Sequence, residues 1–319
     1  MSQYDIIGDV HGEGSKLEGL LKTLGYHESR GAYHHSDRTA IFVGDLIDRG
    51  PDQVRVVRLV QSMVASGSAQ VVLGNHEFNA IAYATEDGLG DYLRTHQGEK
   101  GAKNLRQHQE FLAQAVFGSP LHKELISWFK SLPLWLETPD FRVVHACWHD
   151  DSIRSLERRG LGEGFVTDDL VLRANDKGTE DFDSVEIILK GPELSLDGYP
   201  SFKDKEGNVR QDARLRWWDH EAKTLSDLAE IPNLALDEND EPYPDLPGVP
   251  MTEAHAFLYD PLAPPVFFGH YWRTGPPKLA GSNTVCVDFS AAHENESLVA
   301  YRHDEGAALD VKRFTRYPG

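Results

Sequence analysis

The sequence predicts an α/β fold, a layered arrangement of strands and helices carrying an inserted region. Three observations predict it. Short apolar runs at Tyr4–Ile7, Thr39–Val43 and Ala69–Leu73 read as buried strands. Each run is followed by a polar cluster and then by a helical stretch. The resulting order, β-α-β-α-β-α, calls for a sheet with right-handed crossovers.

Taken in order, Tyr4–Ile7 ends in Gly8-Asp9-Val10-His11-Gly12. Leu17, Leu20, Leu21 and Leu24 then form an i, i+3, i+4, i+7 stripe that stops at Gly25. Residues 26–38 are polar and turn-like. Thr39–Val43 leads through Gly44-Asp45 into a helix, with Pro51 where a helix start accepts proline. Val54, Val57, Val60 and Val64 mark a helix ending at Gly67, and Gly74-Asn75-His76-Glu77 carries the third strand into another. Residues 85–103 read as a loop, Asn104–Phe117 and Leu121–Leu132 as helices, and Pro133–Leu136 and Phe141–Val144 as strands, the last ending at His145.

From about 150 to 260 the texture changes to an acidic, Pro- and Gly-punctuated stretch. It reads as an insertion with helices at Asp168–Ala174 and Asp181–Leu189 and a hairpin around Asp197–Trp217. Strands resume at Val266–Phe268, Thr284–Val287, Leu298–His303 and Val311–Phe314. The expected organisation is one domain over 1–319, with a core of 1–148 and 264–319.

Composition narrows the function classes. A formal net charge of -19 over 319 residues repels phosphate backbones, so long nucleic acid is a poor partner. With no apolar leader and no membrane-length run, the expectation is a soluble, cytoplasmic protein that does not engage a membrane. Cys147 and Cys286 are the only cysteines, which fits a reducing compartment. Neither heads a C-x5-R loop, which argues against a cysteine nucleophile. Oligomeric state is open.

The chemistry concentrates at the strand ends. Asp9 with His11, Asp45, Asn75 with His76, His145 and His270 each follow a predicted strand, where open α/β sheets place ligands. All are oxygen or imidazole donors of the kind that hold Mn, Fe or Zn. Asp9 and His11 on one turn reach the same ion. Asp45 is the candidate bridge to a second ion about 3.5–4 Å away, completed by Asn75, His145 and His270. Two such ions share a hydroxide and polarise a phosphoryl oxygen. A lone aspartate after a strand is more often a helix-capping turn, and a lone histidine more often a satisfied side chain. The coincidence of five such strand ends is what favours the metal reading.

The segments GDVHG (8–12), GDLIDRGP (44–51), GNHE (74–77), VVHA (143–146) and FGH (268–270) resemble the calcineurin-like metallophosphoesterases. The DRG and GNHE spellings are most similar to the phosphoprotein phosphatase branch, with its bacterial members and the symmetrical diadenosine tetraphosphate hydrolases. The resemblance covers roughly 1–148 and 264–315. It implies two mixed β-sheets packed between helices, with a dimetal site at the strand ends. It places Asp9, His11 and Asp45 on one ion, and Asp45, Asn75, His145 and His270 on the other. His76 matches the histidine that protonates the leaving group, Asp48 the carboxylate that orients it, and Arg49 the phosphate-binding arginine; the plain alternatives are a helix N-cap neighbour for His76 and a surface salt bridge for Arg49.

Departures from the pattern lie at His145-Ala146-Cys147-Trp148, at Tyr271-Trp272 and at Val287-Asp288-Phe289-Ser290, which make a bulkier wall beside the site. Arg214 and Arg216 are candidates for a second phosphate-binding arginine. Trp217 and Trp218 read as core of the insertion rather than site lining. The resulting expectation is a metal-dependent hydrolase of phosphomonoesters, acting by attack of a metal-bound hydroxide. Two divalent or trivalent ions serve it, manganese ahead of iron, zinc or magnesium. Phosphorylated protein or peptide (pSer, pThr or pTyr) is the preferred substrate. The alternatives are a dinucleoside polyphosphate or other nucleotide hydrolase and, in another class, a non-catalytic binding protein that retains the fold.

Overall fold

The computed structural model describes residues 2–161, 164–196, 198–203, 207, 209–231, 235–246 and 257–318. The chain opens β1 (Gln3–Ile7), α1 (Gly14–Leu24), β2 (His27–Ser29), β3 (Ala32–His34), β4 (Arg38–Phe42), α2 (Gln53–Ala65), β5 (Ala69–Val71) and α3 (Asn75–Ala84). It continues α4 (Gly98–Gln114), α5 (Pro120–Lys130), β6 (Trp135–Glu137), β7 (Arg142–Val144), α6 (Asp150–Arg158), α7 (Asp168–Arg173) and α8 (Glu180–Lys190). Then follow β8 (Glu193–Ser195), β9 (Phe202–Lys203), β10 (Val209–Arg210), β11 (Asp212–Leu215), β12 (Ala229–Glu230), β13 (Val266–Phe268), β14 (Thr284–Cys286), β15 (Leu298–Asp304) and β16 (Phe314–Tyr317).

Two mixed sheets carry the fold, as the resemblance implies. One has the order β16-β15-β1-β4-β5, with β1, β4 and β5 parallel and β15 and β16 antiparallel. The other is β14-β13-β7-β6, with β7, β13 and β14 parallel and β6 antiparallel. Ile6, Ile41, Val43 and Val72 from the first sheet pack on Phe141, Val143, Phe267, Val285 and Val287 from the second, with Tyr301 between them. The same pleat that turns these side chains into the shared core aims six parallel strand ends at one place.

Helices cover the first sheet's other face. Leu17, Leu20, Leu21 and Leu24 of α1 are buried, and Gly25 ends that helix at φ 97°, a left-handed conformation that glycine adopts without a Cβ penalty. The buried face of α2 is Val56, Val57, Val60 and Met63, so the predicted stripe is offset; Val54 and Val64 lie at its margins.

Several boundaries differ from the sequence reading. Residues 26–38 hold the hairpin β2–β3, whose turn residues Arg30 and Gly31 have φ of 54° and 82°, the paired left-handed geometry of a tight hairpin turn. Helix α2 begins at Gln53, so residues 45–52 form an irregular loop and Pro51 precedes the N-cap Asp52. Helix α4 starts at Gly98 instead of Asn104, and Val311–Arg313 is a 3-10 turn preceding β16. Helix α6 falls in the stretch read as insertion. It packs against α8, where Arg159 and Arg173 neutralise the buried Asp181.

The chain divides into two compact units, one of Met1–Lys190 with Pro264–Gly319 and one of Gly191–Ala263. The second unit holds the sheet β12-β11-β8 and the hairpin β9–β10, around Leu196, Phe202, Ala213, Ala229 and Ala235. Asp197 and residues 204–206 and 208 of the expected hairpin lie outside the described residues. Trp217 and Trp218 are buried in this unit, Trp217 edge-on to Tyr259 at 5.9 Å. Among the described residues no helix is long and apolar enough to cross a membrane.

Midway along β1, Asp5 is fully buried and meets Arg38 at 2.9 Å and Arg302 at 3.1 Å; Arg38 also meets Asp304 at 2.8 Å. This network ties β1 and the start of β4 to β15. Removing one partner of a buried ion pair strands the other charge, at about 3–5 kcal/mol. We expect Arg38→Met to lower stability by about that amount in urea unfolding; a loss well under about 1 kcal/mol would show the network to be dispensable.

Candidate metal centre and active site

The site is assembled from loops that leave parallel strands. Asp9 and His11 follow β1, Asp45 follows β4, Asn75 and His76 open α3 after β5, His145 follows β7, and His270 follows β13. Asp288, after β14, completes the ring of strand ends. All but His76 are buried.

Asp45 lies at the centre. Its Oδ2 is 3.7 Å from His11 Nε2, 3.9 Å from His76 Nε2 and 3.4 Å from His145 Nε2. Two donor groups meet there, His11-Asp45-His76 and Asp45-His145-His270, each with ligand atoms within 4.8 Å of one another. Asn75 Oδ1 is 2.9 Å from His145 Nε2. The backbone N–H of His270 donates to Asp9 Oδ2 at 3.1 Å, so the last predicted ligand is tied to the first.

The imidazoles are oriented by carbonyls. A carbonyl only accepts, so His11 donates from Nδ1 to Ile47 O at 2.9 Å and His145 from Nδ1 to Val43 O at 2.8 Å. Both then turn Nε2 toward Asp45, the arrangement by which ligating histidines have tautomer and ring plane fixed. Asp9 Oδ1 and His11 Nε2 are buried and make no hydrogen bond among the described residues. Buried polar atoms without partners are costly, and a bound cation is what an oxygen and imidazole donor set of this kind fits.

Burial and charge set the protonation pattern. Burial, reinforced by Asp288 and Asp45, pushes the Asp9 carboxyl well above the usual range. Burial would raise Asp45 as well, but His145, His76 and His11 outweigh it and hold it well below. Burial and the neighbouring His76 drive His11 down to about 3. For His76, the loss of water is outweighed by Asp45 and by the bond to Asp48, and its pKa is raised.

Glu77 builds the cradle around Asp45. Its Oε2 accepts from the N–H of Asp45 at 2.9 Å and of Gly74 at 3.1 Å, and its Oε1 from Leu46 at 2.8 Å and Ile47 at 3.2 Å. Burial, with the charge of Asp45, nevertheless pushes Glu77 up to about 7. A Cβ on Gly74 would run into Asp45, and one on Gly269 into the Asp9 carboxylate, so both positions need glycine for close approach. His11, Asp45, Asp48, Arg49, His270, Trp272 and Ser290 all have positive φ, between 44° and 73°. Such strain gathers where the surrounding structure holds it for a purpose.

Asp48 and Arg49 lie on the loop after Asp45. Asp48 Oδ2 meets His76 Nδ1 at 2.6 Å, and Oδ1 meets His108 Nδ1 at 2.7 Å. Burial opposes its charge, but the two imidazoles hold the carboxyl well below its usual range. The Arg49 guanidinium stacks on the Trp272 ring at 4.1 Å, a cation–π contact, and lines a recess with His11, Asp288, Ser290 and His293. Asp288 braces that wall, accepting from the N–H of Trp272 at 2.8 Å and of Ser290 at 2.9 Å.

The structure thus brings together Asp9, His11, Asp45, Asp48, Arg49, Asn75, His76, His145 and His270. Arg214 and Arg216 belong to the second unit, where the Arg216 guanidinium donates to the Asp227 carbonyl and lies 4.0 Å from Asp219. Sequence reasoning assigned no role to Glu77, Asp288 or His108. Asp288 carries the same strand-end signal as the others. His108 lies on the buried face of α4 with Asn104 and Phe111, which marks a core position and nothing more. Both cysteines are buried; burial pushes Cys147 far up and Cys286 up to about 12, the reverse of a nucleophile.

A fold of two mixed sheets, with histidines and carboxylates converging at their strand ends, defines a class of metal-dependent phosphoester hydrolases. The chain matches the calcineurin-like phosphoesterase family over residues 3–270 and belongs to it. Among curated relatives, the asymmetrical bis(5'-nucleosyl)-tetraphosphatase PrpE of Halalkalibacterium halodurans is 37% identical over 183 residues, 56% of this chain and 70% of that protein. The PrpE of Oceanobacillus iheyensis is 51% identical over 150 residues, covering 45% of this chain and 55% of that protein. The symmetrical bis(5'-nucleosyl)-tetraphosphatase of Vibrio campbellii is 30% identical over 162 residues, 50% of each chain. A cold-active protein tyrosine phosphatase of known structure shares the fold, with a TM-score of 0.51 at 17% identity over 100% of this chain and 78% of that one.

Replacing Glu77 by Gln would set an amide N–H against backbone donors. We expect Glu77→Gln to keep the fold but to lose about 10–100-fold in metal affinity or turnover, measured by metal analysis and aryl phosphate hydrolysis. Full occupancy with undiminished turnover would contradict the cradle.

Proposed function

We propose that this chain is a two-metal hydrolase of dinucleoside polyphosphates or a closely related nucleotide. The observation that carries the reading is the likeness to proteins named bis(5'-nucleosyl)-tetraphosphatases, 37% identical over a stretch that spans 70% of one of them. The sequence reading put phosphopeptides first. That preference yields, because the likeness to a tyrosine phosphatase stands at 17% identity and speaks for the fold alone.

In this reading Asp9, His11 and Asp45 hold one ion, and Asp45, Asn75, His145 and His270 the other. Such a pair supplies Lewis acidity at a phosphoryl oxygen and lowers the pKa of a bound water. The remaining work falls to the chain itself. Arg49 presents its planar fork to phosphoryl oxygens, and Trp272, 4.1 Å from its guanidinium, keeps that fork from swinging away. His76 gives a proton from Nε2 to the departing oxygen. Asp48 holds the opposite ring nitrogen at 2.6 Å, which fixes the ring plane and favours the protonated imidazole. Asp288 keeps Trp272 in position by accepting its backbone N–H at 2.8 Å.

The test is a comparison of kcat/KM on manganese-reconstituted protein for diadenosine tetraphosphate, p-nitrophenyl phosphate and pSer, pThr and pTyr peptides. The tetraphosphate should lead, and His76→Asn should lower its turnover by about 10²–10⁴-fold with metal retained. A phosphopeptide in the lead would overturn the substrate assignment. Loss of metal in His76→Asn would overturn the separation of acid from ligands.

A further inference from the structure

We propose that His108 is a positioning residue for proton delivery to the leaving group, acting on His76 through Asp48. The inference rests on the acid role given to His76 above. It begins from the two oxygens of one carboxylate. Asp48 Oδ2 is 2.6 Å from His76 Nδ1 and Oδ1 is 2.7 Å from His108 Nδ1. An ionised carboxylate only accepts, so each imidazole turns an N–H toward it. A carboxylate held at one oxygen can swing, since that side-chain torsion is broad. Held at both, it cannot turn without breaking one of the bonds.

The second anchor is itself rigid. His108 is 4% exposed, stacks on Phe111 at 4.9 Å with 24° between the planes, and meets Tyr83 edge-on at 5.4 Å. Its Nε2 makes no hydrogen bond among the described residues, so the bond to Asp48 is the ring's only one there. Asp48 needs such holding. It sits at φ 67° in the irregular loop, where its own N–H is taken by Gln53 Oε1 at 2.6 Å. Three separate elements are therefore linked in line: α3 through His76, the loop of residues 45–52 through Asp48, and α4 through His108. An imidazole that only filled a buried acceptor would affect stability alike whatever ester is cleaved. One that holds the acid in aim matters most when the leaving group most needs its proton.

The experiment uses metal-loaded full-length protein and two aryl esters, phenyl phosphate and p-nitrophenyl phosphate, the second having the better leaving group. His108→Phe keeps the aromatic stack and removes the donor; His108→Leu replaces it should the first not fold. His108→Asn keeps an amide N–H near the position of Nδ1. We expect the Phe variant to lose about 10–100-fold in kcat on phenyl phosphate and far less on the nitrophenyl ester. KM and metal content should be unchanged, and the Asn variant should recover most of the loss. Equal losses on both esters, or no recovery by Asn, overturn the proposal, provided that His76→Asn in the same assay is selectively poor on phenyl phosphate. If His76→Asn also loses equally on both, the acid role itself is wrong and the proposal falls with it.

Discussion

A buried carboxylate held in its charged form by the imidazoles around it sits at the centre of the candidate site. Asp45 is 1% exposed, three imidazoles hold its charge, and its backbone N–H is taken by Glu77. Around it Asp9, Asp288 and Glu77 are all pushed up, first by burial and then by neighbouring carboxylates, Asp45 among them in each case. Packing several acids and histidines this tightly is expensive unless cations join them. The two sheets, their shared core and the glycines at positions 74 and 269 can be read as the means of bringing these groups within reach of one pair of ions.

The cost is met by a second layer of hydrogen bonds. Carbonyls of Ile47 and Val43 set the ring planes of His11 and His145. Glu77 gathers four backbone N–H groups around the Asp45 turn, and Asp288 pins the turns at Trp272 and Ser290. Each of these turns contains non-glycine residues at positive φ, which local propensity does not favour. They persist because carboxylates hold them, Glu77 and Asp288 from far along the sequence at Asp45 and Trp272, and Asp288 from two residues away at Ser290. Function and strain share the same residues, and the support for both lies one step further from the ions.

Much of this was legible in the sequence. Strand ends could be placed because apolar runs stop abruptly at polar clusters, and β1, β4 and β13 fall where those runs predict. Residue type at the strand ends singled out the oxygen and imidazole donors that the structure brings together, with no need of distances. What escaped was structure set by tertiary partners. The hairpin at His27–His34 turns on Arg30-Gly31, a pair whose φ values the polar composition does not announce. Helix α4 begins before its apolar stripe does, and His108 on that stripe looks like any buried histidine until the loop of Asp48 is folded against it. Substrate choice was the hardest to read, since it depends on the walls of the site more than on its metal ligands.

Anomalous diffraction from crystals grown with manganese tests the central claim most directly. Two peaks about 3.5–4 Å apart, on either side of the Asp45 carboxylate, are the predicted result, with His11 beside one and His145 and His270 beside the other. A single ion, or two ions that do not share Asp45, would contradict it.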